Sequence, residues 1–279
     1  MALPDIIKEL LENGVHFGHL SKHWNPRMKR FIFGKKKNVY IIDLEKTAQM
    51  LQEAKDFASQ VARRGGKVLF VGTKKQVRDT IKDLAVSCDM PYVVERWIGG
   101  FLTNFSTVKG RMKYYTGLLE RRSSGGLEKL SNKEIVMINR EISRMAKNYS
   151  GVISLNDLPE CIYVIDPKKE SACIREANKI SIPVIALIDT DADPDVITHP
   201  VPGNDDAIKS VRYITSCIVD AIKEGKTSAE NLSEDSKEQI KVNSEGAQVQ
   251  AAESAEVDNE LSGDSDGRGQ TGRKSKKEA

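Results

Sequence analysis

The sequence predicts an α/β fold: a mostly parallel sheet flanked by helices (a Rossmann- or flavodoxin-like sandwich) with an antiparallel helical hairpin inserted at about residues 106–150. Three observations point there. Short continuous apolar runs alternate with amphipathic helical patterns, as expected when strands are buried on both faces. The alternation breaks once, at a stretch with heptad-spaced apolar residues. It ends near Gly225, after which the composition turns polar.

Pro4 opens a first helix, with Ile6, Ile7, Leu10 and Leu11 on one face and Gly14 closing it. A basic, aromatic stretch follows, from His16 through Arg30, and then Lys35-Lys36-Lys37. Val39–Ile42 reads as a strand, and Asp43 caps a helix with Leu44, Ala48, Leu51, Ala58 and Val61 inward. Val68–Val71 reads as a buried strand, Gly72-Thr73 turns into a helix ending near Ser87, and Tyr92–Val94 reads as a short strand. Later strands are expected at Cys161–Ile165, Val184–Ile188 and Val196–Val201, with a helix over Glu170–Ile180. Asn204 caps a last helix carrying Ile208, Val211, Ile214, Ile218, Val219 and Ile222.

Within the interruption, Val108, Met112, Tyr115 and Leu119 form one seam, and Ile135, Ile138, Ile142, Met145 and Tyr149 form another. Ser123-Ser124-Gly125-Gly126 joins them, and Ser131 with Glu134 makes a capping-box pattern. The expectation is a coiled-coil-like hairpin whose cations face outward. Residues 1–225 are thus expected to form one α/β domain, and 226–279, poor in branched and aromatic residues, a disordered tail.

Net charge is +3, but it is unevenly divided. Residues 1–40 carry +5, 41–106 carry +2, 107–150 carry +6, 151–225 carry −6 and 226–279 carry −4. Clustered cations suit a polyanion, because each neutralised phosphate releases counterions. Cys88, Cys161, Cys173 and Cys217 show no C-x-x-C spacing and read as free thiols of a reducing, cytoplasmic compartment. Asp5, Glu9 and Glu12 argue against a targeting peptide, and no apolar run is long enough for a membrane span.

Two segments carry enzyme-like features, and each has a plainer reading. Gly72-Thr73 has the position of a phosphate loop but lacks its glycine pattern. Asp189-Thr190-Asp191 at a strand end resembles the haloacid-dehalogenase phosphotransfer motif, yet it comes too late in the chain, and Asp193 departs from the pattern. A polar turn, with Asp205 and Asp206 nearby attracting a cation, is the better reading. His16, His19 and His23 are spaced poorly for a metal. No catalytic residue, metal or cofactor is expected.

The nucleic-acid signal recurs. His16, His19, Lys22, Trp24, Arg27, Lys29, Arg30, Lys35 and Lys36 interleave cations with rings, and so do Arg96 and Trp97 beside Gly99-Gly100. Rings stack on unpaired bases and cations pair with phosphates. In the hairpin, Lys109, Arg111, Lys113, Arg121 and Arg122 are candidates on charge alone.

These motifs together resemble one family. His16-Phe17-Gly18-His19, Trp24-Asn25-Pro26-Arg27-Met28, Ile41-Ile42-Asp43-Leu44, Phe70-Val71-Gly72-Thr73-Lys74 and Arg96-Trp97-Ile98-Gly99-Gly100-Phe101-Leu102-Thr103-Asn104 occur in order. Leu158-Pro159, Val164-Ile165-Asp166, Ile182-Pro183-Val184 and Pro202-Gly203-Asn204-Asp205-Asp206-Ala207-Ile208 continue the series. The set is similar to the bacterial-type family of the small ribosomal subunit's second protein. The resemblance implies an α/β sandwich with a protruding helical hairpin. It also implies contact with 16S ribosomal RNA and other small-subunit proteins, and docking of the large mRNA-binding protein numbered one. It carries RNA contact to Trp24, Asn25, Arg27, Lys29, Arg96, Trp97, Thr103 and Asn104. It implies no membrane and no small-molecule substrate.

Overall fold

The structure is a computed structural model that describes residues 3–127 and 130–229. Helix α1 (Leu3–Glu12) ends at Gly14, whose φ of +70° is a left-handed conformation that suits glycine. Three strands follow: Phe17–Leu20 (β1), Ile32–Lys36 (β2) and Val39–Ile42 (β3). They pair antiparallel in the order β1-β3-β2, as a small sheet of their own. Val39–Ile42 is therefore a strand as expected, but it does not join the parallel sheet. β1 and β2 escaped the pattern because neither alternates cleanly: one holds two polar or flexible residues in four, the other ends in lysines.

The main sheet has five parallel strands in the order β5-β4-β6-β7-β8. They are Val68–Val71 (β4), Tyr92–Val93 (β5), Cys161–Ile165 (β6), Val184–Ile188 (β7) and His199–Pro202 (β8). Every residue of β4, β6 and β7 is buried, which explains their unbroken apolar runs. The last strand starts at His199; Val196 ends a short 3-10 helix opened by Pro194, where a proline supplies no strand hydrogen bond.

Alternate residues of each strand serve opposite layers. Val68, Phe70, Tyr163, Ile185 and Leu187 pack against α1, α2 (Leu44–Arg63), α3 (Arg78–Ser87) and a last helix, α7, over 208–229. Leu69, Val71, Ile162, Val164 and Ala186 pack on the other layer. That layer contains α6 (Ser171–Lys179) and the root of α4 (Phe105–Ser123). Asp43 Oδ1 caps α2 by accepting from the Glu45 N–H at 3.1 Å. Asn204 does the same before α7, accepting from Asp206 and Ala207 at 2.9 and 3.0 Å.

Helix α4 and α5 (Asn132–Tyr149) form the hairpin. Its seam is a separate cluster of Tyr115, Leu118, Ile142 and Met145, with Leu119, Ile138 and Tyr149 half-buried beside it. Glu134 accepts from the Ser131 N–H at 2.9 Å, as its spacing predicts. The tail expected from residue 226 lies outside the described residues beyond 229; 226–229 still belong to α7. Among the described residues no helix is long and apolar enough to cross a membrane.

Ile162 is fully buried in the central strand β6. Ile162→Ala should cost roughly 2–5 kcal/mol, for lost transfer energy plus a cavity, read as a fall in the denaturant midpoint.

Candidate nucleic-acid interface

In open α/β sheets, ligands bind in the crevice at the carboxyl ends of the strands. Here β4 delivers Lys74 to that end, β6 Asp166, β7 Asp189 and β8 Asp205 and Asp206. Lys74 Nζ lies 3.0 Å from Asp166, 2.7 Å from Asp205 and 2.8 Å from Asp206. Burial works against the Lys74 charge, but the carboxylates outweigh it and raise its pKa. Asp205 is pushed up to about 7, first by its own burial and then by Asp189, despite the ammonium.

β1 closes the crevice from outside. The His19 N–H donates to Asp189 Oδ1 at 3.1 Å and to Thr190 Oγ1 at 2.9 Å. Its imidazole Nδ1 lies 2.9 Å from Asp189 Oδ2, and Nε2 lies 3.4 Å from Asp206. The bond to Asp189 raises the His19 pKa to about 9, so the ring is an imidazolium at neutral pH. Gly18 permits this approach: a Cβ there would meet Thr190 Cγ2 at 2.6 Å. The donor atoms of His19, Asp205 and Asp206 lie close enough together to hold a cation. Lys74 supplies that positive charge from within the chain. Asp189 is 1% exposed and fully engaged, so a phosphotransfer nucleophile has no approach to substrate.

The basic N-terminal segment wraps over this plug. The Asn25 N–H donates to the Thr190 carbonyl at 2.7 Å, and its Oδ1 accepts from the Arg27 N–H at 3.0 Å. Asn25 thereby caps the 3-10 helix Pro26–Phe31, whose Met28 and Phe31 are buried. Trp24 is half-buried, its ring 5.0 Å from that of Tyr40. His16 is half-buried against Phe17, and burial lowers its pKa. Arg27 pairs with Asp193 at 2.6 Å and Arg30 with Asp195 at 2.9 Å, both on the outside. Lys22, Lys29, Lys35 and Lys36 are exposed and make no ion pair among the described residues. Lys35 and Lys36 lie on the β2–β3 hairpin, which turns through Lys37 and Asn38 at positive φ, and Phe33 beside them is 79% exposed.

The second candidate segment joins β5 to α4. Arg96, Thr103 and Asn104 are exposed. The Trp97 ring is 8% exposed, and its N–H donates to Glu176 at 3.1 Å, so this side chain serves the interior and is not placed to stack on a base. Asn104 Oδ1 accepts from the Thr107 hydroxyl at 2.8 Å. On the hairpin, Arg111, Lys113, Arg121 and Arg122 are exposed, while Lys109 lies 3.8 Å from Asp157. Lys133, Arg140, Arg144 and Lys147 are further cations, exposed on α5 and absent from the sequence candidates. Applying the seam logic to the second helix would have found them.

A family model described as ribosomal protein S2 matches residues 10–225. The chain belongs to the ribosomal protein S2 family. It is 47% identical over 250 residues to small ribosomal subunit protein uS2 of Coprothermobacter proteolyticus, covering 90% of each chain. The protein of that name from Dictyoglomus thermophilum is 49% identical over 221 residues, 79% of this chain and 90% of the relative. That from Rubrobacter xylanophilus is 49% identical over 220 residues, 79% of this chain and 72% of the relative.

Ribosomal protein S2 is a structural, non-enzymatic family, in keeping with a crevice filled by the chain's own side chains. The polar turn preferred for Asp189–Asp193 describes what these residues do: they bind β1 and the 3-10 helix.

Lys74→Ala should destabilise the fold by roughly 3–5 kcal/mol, because the buried Asp205 loses its ammonium partner beside Asp189, and the half-buried Asp166 loses it too. Urea unfolding at pH 7 measures this. The His19 pKa lies above its unfolded value, so its contribution to stability is fully present below about pH 6.5 and lost as pH rises through about 9. The melting temperature should therefore decline over pH 6.5–9, and His19→Asn should flatten that part of the decline.

Proposed function

We propose that this chain is a structural component of the small ribosomal subunit that binds 16S ribosomal RNA by charge and shape and supports subunit assembly. The subunit role follows from the family and from the names of its relatives. The observation that carries the RNA reading is where the cationic segments are rooted. The 3-10 helix enters one core layer through Met28 and Phe31, the 96–104 loop through Trp97, Phe101 and Leu102, and α4 through Val108 and Met112. Three cation-bearing segments thus leave the same side of the sheet.

Outside this layer the cations face solvent, where phosphates can reach them. Gly99 is exposed, and a Cβ added there would meet nothing in the protein within 4 Å. The fold leaves that space open, so a closely approaching surface is free to use it. The site is the ribosome of the cytoplasm, with neighbouring small-subunit proteins as further partners. Docking of the large mRNA-binding protein numbered one rests on the family resemblance.

Sucrose-gradient sedimentation of a lysate should place the chain with the small subunit; migration apart from it removes the subunit role. The combined Arg27→Ala, Lys29→Ala, Arg30→Ala variant should fold normally, since all three side chains are exposed. Its occupancy on purified subunits should fall, and unchanged occupancy would remove these residues from the interface. Affinity of the wild type should drop by about 10³–10⁵ between roughly 50 and 200 mM salt if six to ten phosphates are contacted. The variant should show a shallower slope.

A further inference from the structure

Residues 94–104 run from β5 to α4 without regular structure, yet their shape is fixed from two sides. Trp97, Phe101 and Leu102 anchor the segment in the core. On the other side, one carboxylate from α6 gathers its donors. Glu176 Oε1 accepts from the Trp97 indole N–H at 3.1 Å and the Gly100 N–H at 2.8 Å. Oε2 accepts from the Leu102 N–H at 3.0 Å, the Thr103 N–H at 3.3 Å and the Thr103 hydroxyl at 3.4 Å.

A loop at the surface could leave these N–H groups to water, which would permit many arrangements. A single acceptor shared by four residues permits few. The chain must curl so that successive N–H groups converge, and Gly100 takes a φ of +83° to do so. Burial works against the Glu176 charge, but the bonds from Trp97, Gly100, Leu102 and Thr103 outweigh it and hold the pKa below its usual value. The lock is therefore ionised at neutral pH. It reaches the hairpin, because the Asn104 N–H donates to the Gly100 carbonyl at 2.8 Å and α4 begins at the next residue.

We propose that Glu176 is a positioning residue that fixes the 96–104 loop and the root of α4 in the shape that presents Arg96, Thr103 and Asn104 to ribosomal RNA. This rests on the RNA reading above. Glu176 touches no RNA itself; it lowers the cost of ordering the loop before binding.

The test uses the full-length chain and small subunits depleted of this protein. It compares wild type, Glu176→Gln, Glu176→Ala, Arg96→Ala and the Arg96→Ala/Glu176→Ala pair. In the free protein, Glu176→Ala should speed amide exchange at Gly100, Leu102 and Thr103 roughly ten- to hundredfold, the effect of losing a charged acceptor, and leave β6 unchanged. Its affinity for depleted subunits should fall about tenfold, with Glu176→Gln intermediate because one acceptor oxygen remains. The Gln variant also serves if the Ala variant fails to fold.

The paired variant should lose less than the product of the single losses, since Glu176 acts through a loop that already lacks Arg96. Faster exchange with unchanged affinity, or losses that simply multiply, would overturn the proposal and leave Glu176 a purely structural residue. The RNA reading would survive that result as long as Arg96→Ala binds more weakly. If neither Arg96→Ala nor the Arg27, Lys29, Arg30 variant weakens binding, the RNA reading falls and the proposal with it.

Discussion

The charge cluster at the carboxyl ends of β4, β6, β7 and β8 is the constraint on which the rest of the molecule depends. Four carboxylates (Asp166, Asp189, Asp205 and Asp206) converge there on Lys74 and His19. Asp189 and Asp205 are buried, and buried charges are tolerable only when paired and hydrogen-bonded. The second cation has to come from outside the sheet, so β1 must sit against Thr190 and deliver His19. Once β1 is seated, the antiparallel pairing fixes β3 and β2, and with them the lysine-rich turn. A solution to an interior problem thus decides where an exterior cluster of positive charge stands.

The same cluster explains the segregation of charge along the chain. The segment 151–225 carries a net −6, yet its acidic groups are not simply an acidic surface. Asp189 and Asp205 are buried, and Asp193 and Asp195 face Arg27 and Arg30. Glu176 is taken up by the 97–103 backbone. Much of this negative charge is spent inside the domain. Among the described residues, the cations of β2 make no ion pair, and those of the hairpin make only two long ones, Lys109 with Asp157 and Arg144 with Glu141, so most of them remain facing solvent.

What could be read from the sequence divides along physical lines. Strands β4, β6 and β7 were legible because burial on both faces demands unbroken apolar runs, and the hairpin because a helix seam repeats at heptad spacing. The caps at Asp43 and Asn204 were legible because an Asx side chain before an apolar helix has one common use. β1 and β2 were not, since a short edge pairing of mixed residues leaves no period. The roles of Lys74, His19 and Glu176 were equally hidden. Each depends on partners about 75 to 190 residues distant, and no local pattern encodes such a distance. Trp97 was misleading for a related reason: beside Arg96 it reads as a stacking ring, but only the fold reveals that its face is turned into the core.

The cations differ in how freely they could serve an outside anion, and their surroundings rank them. Lys74 cannot leave, because Asp205 is buried and would be stranded. His19 is bound to the same cluster. Arg27 and Arg30 stand in an intermediate position: their partners Asp193 and Asp195 are exposed enough for water to hydrate them if the guanidinium turns away. Exposed pairs of this kind contribute little, since screening weakens them and two long side chains must be ordered. A phosphate brings a competing acceptor that accepts the same forked geometry. Exchanging carboxylate for phosphate would therefore cost the fold little. Arg27 and Arg30 thus stand on the 3-10 helix Pro26–Phe31 with weakly held partners, which ranks them between the buried Lys74 and the unpaired lysines of β2 as cations open to an outside anion.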